Sequence, residues 1–289
     1  MYALLYASAC IFAWSFIPVV SKVTTSDLSP LQFLLWSNIL SAAVMGGLGR
    51  RQLCATPRMA WCSALRITMV PAFLGCFFYY LCLYYAYAHA NGISVLVVQY
   101  SWPILMVLLA PWILKEKLTK TSILAVILGF MGVVSVISKG NLANIQWENS
   151  LVLLVVMFGA TAFALFSLLS KKITFQAELS VFLFFSWASV FSFFAVLISD
   201  QFSLPATLYS WMGLIINGII INGISYFWWL RALQLEVASR IAPLVFLTPI
   251  LAALWLVLFF GEAFYISYAV GLLLCISAGI LTVLPSKRS

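Results

Sequence analysis

The sequence predicts an all-α polytopic membrane protein of ten transmembrane helices, arranged as two inverted five-helix repeats. Three observations carry that prediction. The 289 residues are 65% hydrophobic and only 8% charged, with a mean hydropathy of +1.12, whereas a soluble domain is about half apolar and a quarter charged. The apolar runs recur at lengths near the roughly 20 residues a helix needs to cross a bilayer, and the polar joints between them leave no room for a soluble domain. The chain also repeats itself. Adding 146 to the residue number carries Tyr80 onto Tyr226, Ala86 onto Ala232, Pro103 onto Pro249 and Glu116 onto Glu262, without a gap.

Taken in order, the spans are expected at Tyr2–Ser21, Pro30–Leu48, Ile67–Ala88, Ile93–Leu114, Thr121–Ser138, Leu151–Ser170, Leu179–Ser199, Tyr209–Leu230, Ile241–Phe260 and Ala263–Leu284. With the N-terminus placed in the cytoplasm, 13 of the 15 Lys and Arg residues fall in inside joints. Only Lys22 and Lys139 fall outside. That bias follows the positive-inside rule and puts both termini in the cytoplasm. Five spans per half is an odd number, so the second half enters the membrane in the opposite direction to the first. The expected halves are residues 1–140 and 150–286. Their opening spans are loosely alike, AWSFIPVVSK at 13–22 beside AFALFSLLSK at 162–171.

No signal peptide is expected, because the first apolar run is too long and lacks a basic start and a small-residue cleavage site. The six cysteines, at 10, 54, 62, 76, 82 and 275, show no metal-binding spacing and are read as small core residues. The net charge of +8 is spread in the way topology requires, so it is not read as a nucleic-acid surface.

Span count, inverted halves, an Ala-ending third span, and a Pro in the fourth followed by a Glu 13 residues later resemble the drug/metabolite transporter superfamily. Each half resembles one EamA-type domain. A shorter stretch, YAYAHANGISVLVVQYSWP at 85–103, is similar to the aromatic amino-acid exporter branch, with Gln99 where an Asn is expected. The resemblance implies that spans 5 and 10 hold the halves together, and that spans 1, 3, 4, 6, 8 and 9 line a central cavity.

Polar side chains at membrane depth must find a partner or line a wet cavity, so they are the informative positions. Asn222 and Tyr226 lie one helical turn apart in span 8, and Gln99 and Trp102 share a face of span 4. With Trp14 and Ser15 from span 1, Tyr79, Tyr80 and Tyr84 from span 3, Tyr100 from span 4 and Phe246 from span 9, they form the candidate substrate-binding set. The alternative for each is a hydrogen bond between packed helices. Pro18, Pro103 and Pro249 are candidate hinges, since proline removes a backbone bond and kinks its helix. Glu116 and Glu262 fall at span ends and read as capping or loop residues. His89, at the outer end of span 3, reads as structural. Trp112, Trp147, Tyr209, Trp211 and Tyr265 read as interfacial anchors. Gly46, Gly47, Gly129, Gly132, Gly271 and Gly279 are expected to permit close helix contact.

No Asp, Glu, Lys or Arg lies at mid-span, and no nucleotide-binding loop is present. A membrane-embedded enzyme would need a deep Asp pair, a Ser–His pair or clustered metal ligands. No catalytic residue, metal site or cofactor is therefore expected. The function expected is secondary transport by alternating access, with export of small neutral or zwitterionic metabolites such as amino acids, in the aromatic class by resemblance. A lipid-linked flippase or a non-transporting partner subunit is the alternative. The expected setting is the bacterial inner membrane, with the chain a monomer or weak dimer.

Overall fold

The structure, a computed structural model, describes residues 2–23, 28–145, 150–199 and 202–283. Trp147, Lys287 and Arg288, and residues 284–286 at the expected end of the second half, lie outside them. Among the described residues are ten long helices: α1 (Tyr2–Val20), α2 (Pro30–Leu48), α3 (Arg58–His89), α4 (Gly92–Leu114), α5 (Lys120–Ile137), α6 (Ser150–Lys171), α7 (Ala177–Ser199), α8 (Leu208–Leu235), α9 (Ala238–Phe260) and α10 (Ile266–Val283). Among the described residues, nine are both long and apolar enough to span a bilayer, and the last is a slightly shorter apolar helix.

The helices are not uniform, and their irregularities obey the repeat. A π-helical turn interrupts α3 at Ala72–Phe78, and another interrupts α8 at Asn217–Ile224, nearly the same positions after the 146-residue shift. Helix α4 breaks at Tyr100–Ser101, just ahead of Pro103, and α9 tightens to a 3-10 turn at Ala242–Phe246, just ahead of Pro249. Both then end in a left-handed residue, Lys115 (φ 58°) and Gly261 (φ 65°), again repeat mates. Helix α1 turns at Phe16, and Pro18, which has no N–H to offer, follows within the next helical stretch. All three candidate hinge prolines thus lie beside real interruptions.

Helix α3 starts earlier than its hydropathy predicts, at Arg58 rather than Ile67. A short helix, Arg50–Ala55, precedes it with no buried residue. Hydropathy misses both because exposed Arg50, Arg51, Arg58 and Arg66 interrupt the apolar run while leaving helix formation unimpaired.

Helices α5 and α10 pack along one another over their length. Glycine makes that closeness possible. A Cβ on Gly132 would lie 2.7 Å from Cys275 Sγ and 2.9 Å from the Gly271 carbonyl oxygen, and one on Gly271 would lie 2.8 Å from the Gly132 carbonyl oxygen. Gly129 makes room for the Phe246 ring. Gly47 differs from expectation: nothing lies within 4 Å of where its Cβ would be. It sits on an outward face of α2.

The remaining packing interleaves the halves. Helix α1 packs on α8 and α9, α2 on α7 and α8, and α6 on α3 and α4. Polar side chains seal these contacts. Asn38 Nδ2 donates to Ser192 Oγ at 3.1 Å, and Asn217 Nδ2 donates to Ser37 Oγ at 3.0 Å. In a medium as apolar as the side chains, such bonds and close packing replace the hydrophobic effect as the glue, each worth about 0.6–2 kcal/mol.

Two contacts locate the symmetry axis. Tyr80 and Tyr226 are repeat mates, and their phenol oxygens are 3.0 Å apart. Gly129 and Cys275 are also repeat mates, and Cys275 Sγ donates to the Gly129 carbonyl oxygen at 3.5 Å. A residue that touches its own mate must lie close to the two-fold axis relating the halves. In an inverted repeat that axis runs in the membrane plane, so both contacts belong to mid-depth.

Four of the six cysteines are core residues, but Cys54 and Cys62 are exposed. They belong to the same arginine-bearing segment, whose surface the hydropathy profile does not resolve.

Candidate functional site

The Tyr80–Tyr226 pair stands in an aromatic box built from several helices. Trp14 of α1 is its fixed wall. Its indole Nε1 donates to Ser225 Oγ at 2.8 Å and to the Ile221 carbonyl oxygen at 3.2 Å. That carbonyl belongs to the π turn of α8, where the α-helical bonding pattern is interrupted. The same turn gives its Gly218 carbonyl to Ser41 Oγ of α2 at 2.8 Å. Side chains from α1 and α2, with Ser225 of α8 itself, thus bond the irregular backbone, as burial in an apolar medium requires.

Around Trp14, ring centroids of Trp102, Phe163, Tyr226 and Trp229 lie at 6.5, 6.1, 6.0 and 5.6 Å. Phe163 of α6 is the hub, also touching Tyr79 at 4.7 Å and Trp102 at 4.8 Å. Phe166 and Phe185 close the box behind Tyr226, at 5.7 and 5.1 Å. Trp229 is pinned by a bond from its Nε1 to Ser167 Oγ at 3.1 Å. Pairs of this kind contribute about 0.5–1.5 kcal/mol each beyond the area they bury, so the box is rigid on that side.

The hydroxyl- and amide-bearing side is less covered. Tyr80, Tyr84, Gln99 and Tyr100 are only half-buried, and Tyr87 is exposed. Gln99 Nε2 donates to the Tyr79 hydroxyl at 2.8 Å, and the Tyr87 hydroxyl donates to Gln99 Oε1 at 3.0 Å. A file of phenols and one amide thus runs along α3 and α4 from the box toward the helix ends near His89 and Asn91. Phenols both donate and accept, and their faces stack. Such a wall can hydrogen-bond to a ligand and stack on it without carrying charge. It offers no acid–base pair, and among the described residues no cluster of His, Cys, Asp or Glu could hold a metal ion.

The structure brings together Trp14, Tyr79, Tyr80, Tyr84, Gln99, Trp102 and Tyr226 from the residues the sequence singles out, with Tyr100 beside them on α4. Asn222 is buried within the π turn, one turn from Tyr226. Two residues are placed elsewhere. Ser15 accepts a bond from Trp255 Nε1 at 2.8 Å and donates to the Phe12 carbonyl oxygen, so it joins α1 to α9. Phe246 packs into the notch at Gly129 and beside Phe130, against α5. Both lie in apolar runs where a polar or aromatic residue looks equally suited to a cavity or a contact. Phe163, Phe166, Phe185 and Trp229 are missed by sequence reasoning. The repeat offers one usable signal: AFALFSLLS aligns with the Trp14-bearing stretch, which marks α6 as a wall of the same site.

His89 stacks on Tyr85 at 4.4 Å and its Nδ1 lies 2.7 Å from the Tyr85 carbonyl oxygen, closing the end of α3. Trp112, Tyr209, Trp211 and Tyr265 are all exposed, as interfacial anchors are.

Comparison with known proteins agrees with this architecture. The sequence model of the EamA-like transporter family matches residues 1–138 and again residues 149–284. A relative from Bacillus subtilis (strain 168), described as the uncharacterized transporter YetK, is 21% identical over 234 residues, covering 77% of this chain and 69% of that protein. A solved structure, described only as the crystal structure of a protein, superimposes with a TM-score of 0.85 at 19% identity. It covers 97% of this chain and 96% of that one.

Proposed function

This chain belongs to the EamA-like transporter family, and from that premise we propose that it is a secondary transporter exporting small neutral or zwitterionic metabolites, amino acids foremost. The observation that supports this reading is the Tyr80–Tyr226 pair: two hydroxyls 3.0 Å apart, on the axis between the halves, walled by aromatic rings. Transporters built from inverted repeats hold their solute at the midplane on that axis. A phosphorylated solute would call for Arg or Lys at depth, and the aromatic contacts of the box include none. The similarity of residues 85–103 to aromatic amino-acid exporters favours aromatic side chains among the solutes.

In this reading the wall formed by Trp14, Trp102, Phe163 and Trp229 holds its shape, while Tyr80, Tyr84, Gln99 and Tyr100 meet the solute. The helix interruptions beside Pro103 and Pro249 bend as the two ends open in turn, with Pro18 serving α1. The positive-inside bias supports cytoplasmic termini in a bacterial inner membrane. The chain carries a full pair of halves and works as a monomer or weak dimer, with lipid and solute as its partners.

The test is counterflow of labelled amino acids into proteoliposomes. Trp102→Ala and Asn222→Ala are expected to lower uptake while the protein still elutes as one species. Normal uptake by both variants, or no uptake of any amino acid by intact protein, would sink the assignment.

A further inference from the structure

At the end of the bundle where α4 stops and α9 begins, two contacts through Glu116 join the halves, and a third, within the second half, braces them. The chain leaves α4 through left-handed Lys115, which delivers Glu116 to the other half. Glu116 Oε1 accepts a bond from Lys171 Nζ, at the end of α6, at 2.6 Å. Its Oε2 accepts the backbone N–H of Ala238, the first residue of α9, at 2.8 Å. Lys171 Nζ also donates to the Glu236 carbonyl oxygen at 2.5 Å. The Glu116 side chain is 9% exposed and that of Lys171 17%, so this is an enclosed knot rather than a surface pair.

The repeat shows what is unusual about it. Helix α4 starts behind Asn91, whose own side chain caps it by accepting from Ile93 N at 2.9 Å and Ser94 N at 3.4 Å. The repeat mate of Asn91 is Val237, which has no acceptor to offer. The Val237 N–H is met locally by the Glu236 carboxylate, but the Ala238 N–H takes its acceptor, Glu116, from the opposite half, where the helix dipole favours a negative charge. A permanent scaffold contact would be better served by a local cap, as in α4. A cap lent from across the interface exists only while the two halves are together at this end.

We infer that Glu116, Lys171 and the first turn of α9 form a separable latch that closes this end of the transport path and must release each time the end opens. This rests on the alternating-access reading above. Release hands the carboxylate, the ammonium and the Ala238 N–H to water at the end of the bundle. The closed and open forms then differ by little, as a cycling gate requires.

Distance measurement between spin labels at Lys117 and Val237, both exposed and one in each half, reads the latch directly. The protein is held in lipid nanodiscs, with exposed Cys54 and Cys62 replaced by serine. Intact Glu116 should give a short-distance population. Glu116→Ala and Lys171→Ala should raise the ratio of long to short distances about tenfold, equivalent to ~1.4 kcal/mol. Glu116→Gln, which keeps an acceptor for Ala238 but not the charge, should fall between. Lys171→Arg should stay near the parent. A parent-like distribution in folded, monodisperse Glu116→Ala and Lys171→Ala overturns the latch. The readout needs no solute: longer distances in protein that moves no amino acid uphold the latch and defeat the substrate reading. Unchanged distances in protein that transports normally do the reverse.

Discussion

Replacing Tyr80 by phenylalanine removes a single oxygen from the axis of the molecule, and its effect follows from what is left behind. The partner, Tyr226, is 2% exposed, and its hydroxyl loses the bond at 3.0 Å that satisfied it. A buried hydroxyl without a partner costs about 1–3 kcal/mol. Tyr226→Phe removes the same bond but orphans the Tyr80 hydroxyl instead. Tyr80 is half-buried on the less covered side of the box, where water can take over the bond, so the loss falls to ~0.5–1 kcal/mol. Replacing both removes donor and acceptor together and should be no worse than Tyr80→Phe alone. The assay is thermal unfolding of the purified protein in one detergent without solute, run as a double-mutant cycle. The reasoning fails if Tyr226→Phe is the more damaging change, or if the two losses simply add.

Gly132→Ala and Gly47→Ala form a second test on stability. The first drives a methyl into the Cys275 sulfur and the Gly271 carbonyl and should lower stability by ~1–3 kcal/mol. The second meets open space and should be neutral or raise stability by up to ~1 kcal/mol; equal melting shifts would refute the close-packed seam. Trp14→Phe keeps a ring but removes the indole bonds to Ser225 and to the Ile221 carbonyl, which stay bonded to each other. It should lower the unfolding midpoint by the equivalent of ~0.5–1.5 kcal/mol, and an unchanged midpoint would deny that the indole ties the turn. Gln99→Leu removes the amide that links Tyr79 and Tyr87. It should reduce uptake in the counterflow assay more than Thr161→Ala, whose hydroxyl merely donates to its own helix at Met157.

The architecture was readable because it rests on quantities a bilayer enforces. Run length sets the span count, Lys and Arg placement sets the expected orientation, and Pro103, Pro249, Glu116 and Glu262 betray the repeat. The repeat also pointed to Tyr80 and Tyr226, although nothing in the string says that mates will touch. The site was half readable. Polar or aromatic interruptions such as Trp14, Gln99 and Trp102 stand out, whereas Phe163 and Phe166 do not. In lipid both faces of a helix are apolar, so hydropathy cannot tell a cavity wall from a lipid-facing surface. Ser15 and Phe246 are the converse case, conspicuous residues occupied with α9 and α5. The π turns were illegible for a related reason. In α8 the Ile221 and Gly218 carbonyls take bonds from Trp14 and Ser41 of other helices, which no local window contains. Glu116 reads as a cap, and it is one, but for a helix 122 residues further along the chain.

The bond between Trp14 and the π turn has a consequence for how the protein is made. Its donor and acceptor are separated by 207 residues. At a synthesis rate of about 5–20 residues per second, that is a delay on the order of 10–40 s. Throughout it α1 sits in the membrane with its indole N–H unmatched by its eventual partner. Asn38 and Ser41 of α2 wait in the same way for Ser192 and Gly218. Each sequence half is thus a unit of inheritance but not of assembly, and the bundle can close only after the eighth helix has been inserted.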